Sequence, residues 1–276
     1  MPFNIFNYIN FIIYFISNLM ETNINSDLGE SSEYNPTKND TELLQIVNTA
    51  NIACGYHAGD LATIKKTIQL AKINNVSVGA HPSFKDRENF GRKRIKLTKT
   101  EVKKLVIDQL EIMAIACDEE NYTSTHVKPH GALNNMACED FELAFTIGEA
   151  IKEFDKNLIY MVLAQSEMEK AAQKINISYA AEVFADRNYE DNATLVSRSM
   201  KNALITKPED SLSHVLKMLE NKSIFSYSGK QIPCQIDTIC IHSDGPTAVP
   251  LAKYLIKGLK ERGYQLKTLN SLIKFN

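Results

Sequence analysis

Seven short runs able to form strands, each followed by a stretch of helical length, constrain this chain of 276 residues more than any other feature. The runs are 23–27, 51–53, 76–80, 125–128, 158–163, 179–184 and 238–242. Strands that alternate with helices pair in parallel, because a parallel connection needs a crossover long enough to hold a helix. Helix boundaries are written locally. Thr98 and Glu101 have capping-box spacing, and Val102, Leu105, Val106, Leu110, Met113 and Cys117 follow on one face. Asp60 caps the helix through Leu70, Pro208 opens another, and Gly263 closes the one that begins near Pro246. One segment departs from the alternation: 223–235 reads as a hairpin turning at Ser228-Gly229-Lys230. Pattern alone leaves open whether the sheet closes into a barrel. No linker or repeat divides the chain, so residues 20–276 read as one catalytic domain.

Residues 1–19 are read apart as an apolar extension. Their longest uninterrupted apolar run is 11–16, well short of the ~20 residues a spanning helix needs. No basic residue precedes that run and no small-residue cleavage site follows it, so signal peptide and membrane span are both poor readings. The extension reads better as a start assigned upstream of Met20. The formal net charge of -2 argues against a nucleic-acid partner, since phosphate binding favours a basic surplus. The five cysteines form no CxxC pair, which favours a reducing, cytoplasmic setting over a disulfide framework.

The unusual polar residues fall where the strands end. Asp27 and Glu30 follow the first, Asn51 and His57 belong to the second, His81 ends the third, and Lys128 and His130 end the fourth. Glu182, Asp186 and Arg187 mark the sixth, and His242 and Asp244 the seventh. Parallel α/β folds bind ligands at the carboxyl ends of their strands, so one shared site is the economical reading. Three chemistries fit such a rim. Asp27, Glu182 or Asp244 serves as general base with a histidine moving protons, Lys128 and Arg187 hold a carboxylate or oxyanion, or a divalent metal polarises a carbonyl. His126 stands four residues before His130, but Pro129 makes a helical metal pair a poor reading, and His126 is expected to be packed or superficial. No GxxxxGK[ST] loop, GxGxxG turn or GxSxG elbow occurs, so nucleotide binding by this chain finds no support.

Several longer strings carry a resemblance. They are Asn25-Ser26-Asp27-Leu28-Gly29-Glu30-Ser31, Ala50-Asn51-Ile52-Ala53-Cys54-Gly55-Tyr56-His57-Ala58-Gly59-Asp60, Gly79-Ala80-His81-Pro82, Val127-Lys128-Pro129-His130-Gly131-Ala132-Leu133 and Glu182-Val183-Phe184-Ala185-Asp186-Arg187. Together with Phe90-Gly91-Arg92 and Cys240-Ile241-His242 they resemble the LamB/YcsF family over roughly residues 22 to 266. The resemblance implies a seven-stranded β/α barrel of the glycoside hydrolase/deacetylase kind. It also implies opening of the lactam of 5-oxo-L-proline to L-glutamate, coupled to ATP hydrolysis, in complex with two other subunits that bind the ATP. On that basis Asp27, His81, Lys128, His130, Glu182 and Asp244 are the catalytic candidates, and Glu30, Asn51, His57, Arg92, Arg187 and His242 the substrate-binding ones. A divalent metal, were one held, falls to Asp27, His57, His81 and His130. The rival readings are a metal-dependent carbohydrate N-deacetylase and a non-catalytic lactam-binding subunit. The chain departs from the family pattern at His242-Ser243-Asp244, at Asn89, at Leu133-Asn134-Asn135, and at Ala193, where glycine is expected.

Overall fold

A computed structural model describes residues 20–31, 33 and 39–276, so the expectations for residues 1–19 lie outside the described residues. The strands are β1 (Glu21–Leu28), β2 (Thr49–Ala53), β3 (Ser77–His81), β4 (Ser124–Val127), β5 (Ile159–Leu163), β6 (Tyr179–Phe184), β7 (Ser223–Phe225), β8 (Gln231–Pro233), β9 (Thr238–Cys240) and β10 (Gln265–Leu266). β1 to β6 and then β9 pair side by side in parallel, and β9 pairs back onto β1 through Asn23↔Thr238 and Asn25↔Cys240. That last pairing closes a barrel of seven parallel strands. The expected hairpin is present as antiparallel β7 and β8, set apart from the barrel. The short β10 was not anticipated. It extends the foot of β1, with Glu21 opposite Gln265.

The helices are α1 (Asp40–Leu43), α2 (Leu61–Ile73), α3 (Lys99–Glu119), α4 (Gly131–Glu139), α5 (Phe141–Phe154), α6 (Glu167–Ile175), α7 (Pro208–Asn221) and α8 (Ala248–Glu261). Their starts follow the local chemistry that the sequence displays. The Asp60 side chain accepts from Thr63 N, and Thr98 and Glu101 form the full capping box, each worth about 1 kcal/mol. Pro208 stands in the first turn of α7, where its missing N–H costs nothing.

Side-chain alternation divides β1 between two environments. Ile24 and Leu28 join the apolar layer between barrel and helices. Asn23, Asn25 and Asp27 point the other way, into a barrel interior that is polar. Asn23 Nδ2 donates to Thr49 Oγ1 at 2.8 Å, Asn25 Nδ2 to Thr238 Oγ1 at 2.8 Å, and Thr238 Oγ1 to Asn23 Oδ1 at 2.6 Å. Each of these groups is buried, so the exchanged hydrogen bonds are what make the polar interior tolerable. At the foot of the barrel, Leu269 and Leu272 pack on Ile159, Met161 and Ala180, and Leu269 N donates to Thr49 Oγ1. The apolar plug closes that end and leaves the other end, where the strands terminate, as the open mouth.

Candidate active site

The mouth holds a cavity of about 450 Å³ whose wall includes Asp27, Glu30, His81, Lys128 and His130. At its floor Lys128 Nζ stands 2.9 Å from Asp27 Oδ1 and 2.8 Å from Glu182 Oε1, with all three side chains more than nine-tenths buried. The first contact is a directed hydrogen bond. The second is close enough for an ion pair, yet Glu182 Oε1 has no hydrogen-bond partner, so it takes the charge without a directed donor. Burial alone would raise the Asp27 pKa, but Lys128 and His81 overcome that and hold it well below the ordinary carboxylate range. For Glu182 burial wins, and its pKa is raised despite Lys128. The lysine's own pKa stands well above its usual value, because the surrounding carboxylates outweigh its desolvation.

Asp27 is fixed from behind. Asn51 Nδ2 donates to Asp27 Oδ1 and to Asn25 Oδ1, each at 2.8 Å. His126 Nε2 in turn donates to Asn51 Oδ1 at 2.8 Å, which fixes the orientation of that amide. His126 is therefore packed inside the barrel.

Four residues form a second cluster beside the first. Glu30 Oε1 lies 3.1 Å from His57 Nε2 and 3.1 Å from His130 Nδ1, and His81 Nε2 lies 3.0 Å from His130 Nδ1. His81 Nδ1 donates to Lys128 O at 2.7 Å, and His130 Nε2 donates to Phe90 O at 3.0 Å. Burial lowers the His81 pKa to about 3 and, with His130 beside it, that of His57 to about 4, so both rings are neutral. Glu30 stays ionised: burial opposes it, but His130 and His57 draw its pKa well below normal.

Two glycines let the loops close around His130. Gly91, at φ +64°, passes so near that an added Cβ would stand 2.2 Å from Ser83 Oγ and 3.1 Å from His130 Cδ2. Gly131, at φ +56°, would put a Cβ 2.6 Å from Gly91 O. Only glycine combines the left-handed backbone with that clearance.

The rim is cationic. Asp244 Oδ2 accepts from Arg92 at 2.8 Å and from Arg198 at 3.2 Å. Arg187 is 6% exposed and donates to Val196 O, while its Nε is buried with no partner. His242 Nδ1 lies 2.9 Å from Asp186 Oδ2 and its ring stacks on Phe184.

The strand ends thus bring the sequence-derived residues to one mouth, with several changes of position. Asn51 and His57, expected to bind substrate, are both 0% exposed and absent from the cavity wall; they support Asp27 and Glu30 from behind. Glu182, expected to be catalytic, sits behind Lys128 and is likewise absent from the wall. Asp244, expected to be catalytic, lines the same cavity as Lys128 and is engaged by two arginines. Two carboxylates stand beside the histidines: the expected Asp27, with Oδ2 3.6 Å from His81 Nε2, and Glu30, with Oε1 3.1 Å from His130 Nδ1. Asn25 and Arg198 were missed, and Asp186, expected among the polar residues ending the sixth strand, is the partner of His242. The alternation Asn23, Asn25, Asp27 along one strand signals the first. Arg198 gives no local signal.

Comparison with known proteins shows the family. The family model described as LamB/YcsF family matches residues 22–274. A protein of Azoarcus sp. (strain BH72), named as one of the subunits of 5-oxoprolinase, is 42% identical over 248 residues, spanning 90% of this chain and 97% of that one. One of the same name from Thermococcus sibiricus is 40% identical, spanning 92% and 100%. The crystal structure of a lactam utilization protein from Thermus thermophilus superposes with a TM-score of 0.84 at 34% identity, covering 90% of this chain and 100% of that one.

Proposed function

The chain belongs to the LamB/YcsF family, and from that premise we propose that it is the lactam-opening component of an ATP-dependent assembly that converts 5-oxo-L-proline to L-glutamate. The observation that carries the reading is the Asp27–Lys128 pair on the floor of a cavity whose rim presents Arg187. Opening a lactam requires water to add to the carbonyl carbon, negative charge to be held on the carbonyl oxygen, and a proton to reach the departing nitrogen. Lys128, kept ionised between two carboxylates, is a fixed positive charge for the oxygen, already desolvated and therefore strong. Arg187, whose buried Nε has no protein partner, suits the substrate carboxylate. Asp27, ionised and held by Asn51, orients the attacking water. The ring nitrogens His81 Nε2 and His130 Nδ1 lie beside it, His81 Nε2 at 3.6 Å from Asp27 Oδ2, and accept the proton destined for nitrogen.

ATP enters through two partner subunits, in line with the lack of any nucleotide loop in this chain: transfer of its γ-phosphate to the amide oxygen releases ADP and leaves a C=N imidate whose carbon is the better electrophile. Water adds to that carbon, the C–N bond breaks as the nitrogen is protonated, and a second water frees phosphate from the resulting acyl phosphate. A cytoplasmic setting suits five buried, unpaired cysteines, and among the described residues no helix is long and apolar enough to cross a membrane. The test is reconstitution. The chain mixed with its two partners is expected to release glutamate from 5-oxo-L-proline only when ATP is present. Release without ATP, or none in the complete mixture, would overturn the reading.

A further inference from the structure

The geometry points to a divalent-metal site formed by Glu30, His81 and His130, with its open coordination position facing the cavity beside Asp27. His81 gives its Nδ1–H to Lys128 O at 2.7 Å and His130 gives its Nε2–H to Phe90 O at 3.0 Å. A carbonyl oxygen only accepts, so each ring turns an N–H outward and leaves His81 Nε2 and His130 Nδ1 as the nitrogens aimed at Glu30 and at each other. These two atoms are 3.0 Å apart, and Glu30 Oε1 lies 3.1 Å from His130 Nδ1 and 3.7 Å from His81 Nε2. Three potential ligand atoms, two imidazole nitrogens and one carboxylate oxygen, thus converge in a buried pocket.

The spacing supports a metal. Zinc bonds of about 2.0–2.2 Å to nitrogen and oxygen give a tetrahedral edge of about 3.4 Å between ligands. The three separations of 3.0, 3.1 and 3.7 Å bracket that edge. Ring orientation selects the ligands. The His81 and His130 planes cross at 82°, so both in-plane lone pairs can meet at one point. His57 is stacked on His130 at 3.9 Å with planes only 9° apart, so no ion can lie in both ring planes, although His57 also approaches Glu30. His57 instead donates Nε2–H to Glu30 Oε1 at 3.1 Å and orients the carboxylate, while the backbone carbonyls orient the other two ligands. Two imidazoles and one carboxylate suit a divalent transition ion better than magnesium or calcium.

The inference stands on this triad and not on the lactam reading. With an ion seated, both ring nitrogens are ligands, so the proton transfer given to them in the lactam reading passes to Asp27, whose Oδ2 stands 3.6 Å from His81 Nε2. The test needs neither substrate nor partners, so its failure and the failure of the lactam reading are distinguishable. The full chain, stripped with chelator, is titrated with zinc chloride by calorimetry, and metal content is measured after dialysis. One zinc per chain is expected. His81→Ala, His130→Ala and Glu30→Gln should each weaken binding by at least about 100-fold, and His57→Ala by about 10–100-fold. His214→Gln, at a histidine outside the cluster, should leave it unchanged. Melting curves verify folding, and His130→Gln replaces any alanine variant that fails that check. Substoichiometric zinc, or stoichiometric binding unmoved by changes at His81 and His130, would overturn the site and leave a shared proton between those rings.

Discussion

Replacing Lys128 with methionine is the most informative single perturbation of the barrel floor. The change keeps the length of the side chain and removes a buried positive charge from between Asp27 at 2.9 Å and Glu182 at 2.8 Å. Deleting one partner of a buried ion pair costs about 3–5 kcal/mol, because the remaining charge has lost its compensation. Here two carboxylates are stranded together. At about 2–4 °C per kcal/mol for a protein near this size, the melting temperature should fall by roughly 10 °C. The loss should also depend on pH. In the variant, burial and mutual repulsion raise the native-state pKa values of Asp27 and Glu182 above their unfolded values. Below the unfolded values both states are protonated and the penalty is small. As pH rises from about 4 through the raised native values, the unfolded state ionises first and stability falls. Thermal or urea unfolding of Lys128→Met against the parent at pH 5 and pH 8 should therefore show the larger deficit at pH 8, and adding Asp27→Asn should recover part of it. A variant that melts like the parent at pH 8, or an equal deficit at both pH values, would refute the reasoning.

Other expectations concern the layers around that floor. Burial lowers the His126 pKa from 6.5 to about 3, so the native state binds fewer protons than the unfolded chain between those values. Stability is complete above pH 6.5 and declines as pH falls toward 3, by up to something on the order of 4 kcal/mol from this residue; His126→Gln should flatten the acid side of a urea-midpoint profile, and an unchanged profile would show that His126 titrates normally. Ala193 adopts φ +66°, in the left-handed region where the family pattern places glycine, so Ala193→Gly should raise stability by about 0.5–1 kcal/mol in chemical denaturation.

What could be read from the sequence was local. Seven strands, the hairpin and the caps at Asp60, Thr98 and Pro208 follow from neighbours within a few residues. The convergence of Asp27, His81, Lys128 and His130 followed from the rule that parallel strands gather their carboxyl ends. Contacts across the barrel were not legible. His126 could be packed or superficial until its partner Asn51, 75 positions away, was known. Glu182 and Lys128 each end a strand, and nothing in either string says that one stands behind the other. Arg198 reaches Asp244 from 46 residues away, on a connection whose path no periodicity specifies. That Glu30 joins Asp27 beside the histidines depends on how the chain bends after Leu28, which includes Gly29 at φ +68°.

The most direct measurement is single-turnover glutamate release by the three-component assembly carrying Asp27→Asn, an isosteric change that removes the carboxylate from the cavity floor while leaving Lys128 in place. If lactam opening occurs at this floor, release from 5-oxo-L-proline should fall by at least about 100-fold, the scale on which a positioned acid–base or electrostatic group contributes, with assembly and ATP binding intact. Release at the parent rate would place the chemistry elsewhere.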